Sequence, residues 1–251
     1  MPLAERTRRG VWGMRCMPAS RPVFAFLLAV LLAGSGCSVT GTVERGLEDK
    51  LREIIGPAER YDVRIDGLRA RSGRAERVLA VGERVRPEDA PVVERFELDL
   101  RGVTYDRREK RLERVDSARA TAHITARDLV DFLETRDGVR AATLTLRAPD
   151  EATLRIRPEF GGIALPPGVA AEVRGRLEAA GSRVNFVVSD VEAAGLDLGG
   201  AAARRLSGVI NPLVDLADLD VELQVTSVRV AGEAIVLDAT GDLSGLRLRR
   251  D

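Results

Sequence analysis

The 251 residues carry 39 Lys+Arg against 39 Asp+Glu, with one histidine and two cysteines. A single imidazole leaves room for at most one member of a catalytic triad or of a histidine metal site. The absence of a basic excess speaks against nucleic acid as a partner.

The first forty residues differ from the rest. Arg6, Arg8, Arg9, Arg15 and Arg21 precede an uninterrupted apolar run from Val23 to Ala33, opposed only by Glu5. That run of 11 residues is too short for a hydrocarbon core needing about 20, and it predicts an export signal over 1–37. Gly34-Ser35-Gly36-Cys37 resembles a bacterial lipobox, which implies lipidation at Cys37; Gly34 stands where that motif usually has Leu. The alternative is an ordinary secretory signal cut near Gly36, and Met14 and Met17 are alternative starts. Removing 1–37 takes away five arginines and one glutamate, leaving 34 basic and 38 acidic side chains, a net charge of −4. With Cys16 and Cys37 removed or acylated, neither disulfide nor thiolate chemistry is available.

The chain after Cys37 is long enough for one well-cored domain, expected over 43–242, with 38–42 as a tether and 243–251 as a tail. Its aromatic residues are six: Tyr61, Phe96, Tyr105, Phe132, Phe160 and Phe186. The interior must therefore be aliphatic. Val43, Leu47, Leu51, Ile54 and Ile55 fall at helical spacing, closed by Gly56-Pro57 in the order that ends helices. Tyr61, Val63 and Ile65 alternate into a turn at Asp66-Gly67, and Val78 to Val85 reads as a second strand. Phe96, Leu98 and Leu100 alternate with Glu97 and Asp99, and Gly102-Val103-Thr104-Tyr105 follows. The cluster Asp106 to Glu113 has two readings, a headgroup or membrane-surface contact and a solvated turn; its mixed signs favour the turn.

From Val115 the alternation passes through Ala118, Ala120, Ala122 and Ile124. Thr125 and Asp128 then predict the start of a helix over Ala126 to Arg136, with Leu129, Phe132 and Leu133 as its apolar stripe. Leu144 with Leu146, Leu154 with Ile156, and Val184, Phe186 and Val188 give three further strands. Gly199 to Ile210 is an Ala-rich helix that must stop near Asn211, because Pro212 disfavours helical backbone in the residue before it. Leu219, Val221, Leu223 and Val225 alternate with acidic and amide side chains. The parity shifts after Thr226-Ser227, as a bulge would cause, and Ala231-Gly232-Glu233 turns the chain into Ile235, Leu237 and Ala239. About eight to ten strands and three helices without regular βαβ spacing predict an α+β fold built on a curved, largely antiparallel sheet.

Three stretches carry a family resemblance: Val43 to Asp66, Ala118 to Leu133, and the Asn-Pro, Asp-Leu link and Val/Leu hairpin of Ile210 to Ala239. Together they resemble the LmeA-like phospholipid-binding proteins of the bacterial cell envelope, over roughly Val43 to Asp242. The resemblance implies a phospholipid partner, a periplasmic or envelope location and a role in lipid transport or presentation. Strands with one greasy and one charged face fit an elongated apolar groove, which suits acyl chains at about 0.8 kcal/mol per buried methylene. Its candidate lining is Phe96, Leu98, Leu100, Leu129, Phe132, Leu133, Leu144, Leu146, Leu154, Ile156, Val184, Phe186, Val188, Val221, Leu223 and Val225. No cofactor, metal or catalytic residue is expected, and nothing identifies a protein partner.

Against chemistry, no Gly-rich phosphate loop is present, and His123 reads as a surface residue of its strand. Asp215, Asp218 and Asp220 lack the glycine and bidentate glutamate of a calcium loop. Two other readings stay open: an envelope scaffold with a filled core, and an envelope hydrolase using a carboxylate pair.

Overall fold

The computed structural model describes residues 37–106, 108, 111–158, 169–217 and 222–244. The leader, Phe160, Asp218, Asp220 and Val221 lie outside the described residues. The described chain forms three helices and thirteen strands in two antiparallel sheets. This is the expected α+β class, but the strands divide between two sheets instead of building one.

The large sheet comprises β1 (Arg60–Asp66), β2 (Arg74–Val85), β3 (Val93–Asp106), β4 (Arg111–Arg114), β5 (Ser117–Thr125), β12 (Glu222–Ala231) and β13 (Ala234–Asp242). Its order is β1-β2-β3-β5-β13-β12, with β4 paired to one end of β3. The small sheet runs β10-β9-β8-β7-β6. Its strands are β6 (Val139–Arg147), β7 (Glu151–Pro158), β8 (Ala171–Ala180), β9 (Arg183–Ala193) and β10 (Leu196–Asp197), with β11 (Val214–Asp215) added to β9. The helices are α1 (Cys37–Ile54), packed on β1; α2 (Ala126–Leu133), on β6; and α3 (Gly199–Ile210), on β9.

Each element has a local cause. In α3, Ala202, Leu206 and Ile210 are buried at intervals of four, the spacing of one helical face. The Thr125 hydroxyl accepts the Asp128 N–H at 3.1 Å and donates to the Asp128 carboxylate at 2.6 Å, so α2 starts where the sequence predicts. It ends at Leu133, three residues before Arg136. The helix expected from Val43 begins at Cys37 and takes in residues 38–42. The shift of parity near Thr226 is a register break between Val225 and Ser227 in the β12–β13 pairing. β8 is not among the predicted strands. Ala171, Val173, Gly175 and Leu177 alternate with charged residues there, a period-two signal muted by small side chains.

The edge of the large sheet is closed by turns of the small one. Val225 and Val230 of β12 donate their N–H groups to the carbonyls of Gly181 and Pro149, at 2.8 and 2.7 Å. Both carbonyls stand at hairpin turns of the small sheet, between β8 and β9 and between β6 and β7, so an edge that would otherwise be open is used internally.

Candidate functional site

The pairing register orders one face of the large sheet into rows, because directly opposed residues in antiparallel strands project to the same side. Tyr61, Gly82, Phe96, Ala122, Leu237 and Val228 form one row across β1, β2, β3, β5, β13 and β12. Val63, Ala80, Leu98, Ala120, Ala239 and Val225 form the next, and Ile65, Val78, Leu100, Ala118, Gly241 and Leu223 the third. Apart from the Tyr61 hydroxyl, no polar side chain interrupts them. That hydroxyl donates to the Gly56 carbonyl at 2.9 Å, and burial pushes its pKa up to about 12.

The rows are not level. Ala118, Ala120 and Ala122 of β5 lie beside Ala239 and Gly241 of β13, so the two central strands carry a floor of small residues. Phe96, Leu98 and Leu100 of β3 stand along one side of that floor, and Leu223 and Val225 of β12 along the other. Two strand spacings make the floor about 10 Å wide; in the first row Leu237 stands opposite Ala122, so small residues face each other in the second and third rows only.

The apolar residues fall into two clusters. The first lies between the sheets and joins Ile124, Val225, Val230, Ile235 and Leu237 to Leu154, Ile156, Val173, Leu177, Val184 and Phe186, with Leu129 and Leu133 of α2 and Leu206 and Ile210 of α3. Its central members are sealed: Leu154 is 1 % exposed and Ile156 and Val184 are 0 %. The second lies under α1 and includes Val63, Ile65, Ala80, Leu100, Val103, Leu112 and Ala118, with half-buried Val43, Leu47, Leu68, Leu98 and Val115 against it. It is looser, with Leu100, Val103 and Leu112 each 7 % exposed and Ile65 9 %. Ala120, Ala239 and Leu223 are buried but join neither cluster.

The candidate groove residues are accordingly distributed. Leu129, Leu133, Leu154, Ile156, Val184, Phe186 and Val225 lie in the first cluster, with Phe96, Leu144, Leu146 and Val188 partly buried at its margin. Leu98 and Leu100 belong to the second, and Leu223 is buried but belongs to neither. Phe132 is half-buried beneath the Arg136 guanidinium, whose carbon lies 4.8 Å from the ring centre. An elongated apolar groove is not part of what the described residues show.

The opposite face of the large sheet is a lattice of ion pairs. Arg77 holds Asp99 at 2.8 Å, and its hydrogen bonds keep the Asp99 carboxyl below the usual carboxylate range. Arg95 pairs with Glu97, and the Asp238 carboxylate accepts from the Thr121 and Ser227 hydroxyls. His123 lies in this face, opposite Arg95 and Val236. Asp215 binds Arg183 at 2.7 Å. Among the described residues, no three of His, Cys, Asp or Glu stand close enough to share a metal ion.

The Asn-Pro pair after α3 has a structural task that its sequence position does not disclose. The Asn211 side-chain carbonyl accepts the Phe186 N–H at 2.6 Å, and its amide donates to the Phe186 carbonyl at 2.9 Å and to the Ser207 hydroxyl at 3.0 Å. One side chain thus completes the hydrogen bonding of β9 and locks α3 to it. Arg136 caps the same corner, donating to the carbonyls of Val209, Ile210 and Pro212. Burial pulls its guanidinium pKa below the ordinary value. At the far end of α2, Arg84 reaches buried Asp128 at 2.9 Å and Glu94 at 2.8 Å.

The described residues thus build two antiparallel sheets, the larger with one aliphatic and one charged face. The chain belongs to the LmeA-like phospholipid-binding family, which matches residues 39–240. No curated protein and no solved structure matches it.

Proposed function

We propose that the protein holds phospholipid with its acyl chains along the trough of the large sheet, floored by Ala118, Ala120, Ala122, Ala239 and Gly241. The observation that carries this reading is the relief of that face: small residues on two adjacent strands between walls of Phe96, Leu98, Leu100, Leu223 and Val225. A hydrocarbon tail lying there meets only aliphatic surface, gaining about 0.8 kcal/mol per methylene removed from water. The reading requires no catalytic residue. Transport or presentation of lipid in the cell envelope is the role it serves, with residues 1–37 as an export signal and Cys37 as the acylated anchor of a periplasmic lipoprotein. The mass of the N-terminal peptide of the membrane-extracted protein tests the anchor, a diacylglyceryl increment on Cys37 being the expected result.

Native mass spectrometry of the purified chain tests lipid binding, with about one phospholipid per molecule expected. Replacing Ala120 by Leu fills the floor and should lower that occupancy in a protein that still folds. Repeated preparations without bound lipid, combined with no uptake from vesicles, would overturn the proposal. The first cluster favours a second reading, an envelope scaffold with a filled interior, since its members leave no surface for a guest. On that reading Ala120→Leu overpacks the protein, costing about 1–3 kcal/mol without changing any lipid content.

A further inference from the structure

We infer that α1 is a lid over the aliphatic face of the large sheet, hinged at Gly56 and latched to the edge of β1 by Glu44. The three helices are seated differently. Leu129 and Leu133 of α2 are 0 % and 1 % exposed, and Leu206 and Ile210 of α3 are both 0 %. In α1 the apolar stripe of Val43, Leu47, Leu51 and Ile54 is half-buried from end to end. Among the described side chains of α1 only Lys50 is buried, and it pairs with Glu53 of the same helix at 2.6 Å. That bond survives any movement of the helix as a body. Apolar stabilisation follows the area removed from water, so a stripe that keeps contact with water loses less on lifting than the sealed stripes of α2 and α3 would.

The polar ties of α1 are unevenly placed. Arg52, in its last turn, donates to the Ala58 carbonyl at 2.9 Å and lies 5.3 Å from the centre of the Tyr61 ring. Toward the other end one tie reaches the sheet: the Glu44 carboxylate accepts the Ile65 N–H at 3.1 Å, on the edge strand that is the helix's main contact. Just after the helix, Gly56 has φ +134 and lies so close to the Arg86 carbonyl that a Cβ would collide with it; glycine is the residue that tolerates such backbone and that can change it at least cost. Beyond Gly56 the chain is fixed. The Gly56 carbonyl accepts from the Tyr61 hydroxyl at 2.9 Å, the Pro57 carbonyl accepts the Arg86 N–H at 2.8 Å, and the Glu59 N–H donates to the Glu83 carbonyl at 3.0 Å. A rigid element held firmly at a glycine and by one hydrogen bond farther out is built to swing. The stripe of α1 packs on the cluster that contains Leu98, Leu100 and Ala118, so the helix covers residues proposed to wall and floor the lipid seat. A hydrocarbon tail reaches them when α1 lifts, and the inference deepens the phospholipid reading and rests on it for the guest.

The test uses the full chain, with fluorescent phosphatidylglycerol in vesicles as the probe. Glu44→Ala removes the latch and should speed uptake roughly ten-fold, the weight of one hydrogen bond to a charged group, whereas Glu44→Gln keeps a carbonyl acceptor and should stay near wild type. Tying the helix down should do the reverse. In a C16S/C37S background, E48C/R64C joined by a disulfide-containing bismaleimide should lose uptake and regain it on reduction. Paired spin labels in the same background need no lipid: D49C/R127C, spanning α1 and α2, should report two distances, with the longer one favoured by Glu44→Ala, and R127C/R204C, spanning α2 and α3, should report one. A single distance for both pairs, uptake unmoved by the link, or equal rates for Glu44→Ala and Glu44→Gln would overturn the lid. Two distances for the first pair in a chain that takes up no lipid in any form would remove the phospholipid reading and leave the moving helix.

Discussion

The two apolar clusters are made of the same residue types and behave differently. Between the sheets, large side chains from both layers and from α2 and α3 meet one another, and Ile124, Leu154, Ile156 and Leu206 are sealed. Under α1 and across β5 and β13, the same alternation places Ala and Gly on adjacent strands, and the flanking leucines retain some exposure. Interiors are packed like organic crystals, so a protein that must admit a flexible guest needs a region outside that rule. The first cluster is thus closed by large side chains from both layers, while the second is built of smaller residues and keeps more exposure.

That division can be tested by substitution, and the largest effect belongs to the sealed cluster. Phe186→Ala should cost about 3–5 kcal/mol in urea denaturation, whereas Leu98→Ala, half-buried beside the trough, should cost about 1 kcal/mol. Equal costs would erase the distinction between the regions. Asn211→Ala strips the Phe186 N–H and carbonyl of their partners, and about 2–3 kcal/mol should be lost; full retention of stability would show that α3 is held by apolar packing alone. Asp128→Ala keeps the backbone cap but removes the carboxylate that accepts from the Thr125 hydroxyl and from Arg84, for roughly 2 kcal/mol, read from the thermal midpoint.

Tyr61 stands where the two regions meet and gives a pH test. Because its pKa in the folded chain is raised from 10.0 to about 12, the folded state keeps a proton that the unfolded chain releases above pH 10. Stability is therefore untouched by this group below pH 10 and declines as pH rises toward 12. Phenolate absorbance should show one tyrosine ionising late, and Tyr61→Phe should remove that slow step and its alkaline destabilisation. The smallest expected change is the sharpest: Ala120→Leu should leave the denaturation midpoint nearly unchanged while bound lipid falls. A loss of 1–3 kcal/mol would instead mean that the trough floor is packed as tightly as the core.

Much of this was legible residue by residue. The α3 span, the Thr125 cap, the register break at Thr226 and the strands around Tyr61, Phe96 and Ile124 all follow from patterns within a dozen residues. The strand at Ala171 was less visible because half of its apolar face is Ala and Gly, which give weak contrast against its charged neighbours. The roles of Asn211 and Arg84 were hidden. Asn211 acts on Phe186, and Arg84, at φ +52, reaches Asp128. Nothing local marks either contact.

By itself the sequence determined which side of each strand is oily, where α2 starts and where α3 begins and ends. Those properties depend on side-chain alternation and capping, which are settled within one or two turns of chain. The tertiary structure alone decided that the described strands divide into two sheets, that Ala120 lies beside Ala239, and that Asn211 completes the hydrogen bonding of Phe186. Each of these joins residues far apart in sequence, and such partners are chosen by total apolar burial and closed sheet edges, quantities that no single stretch of chain contains.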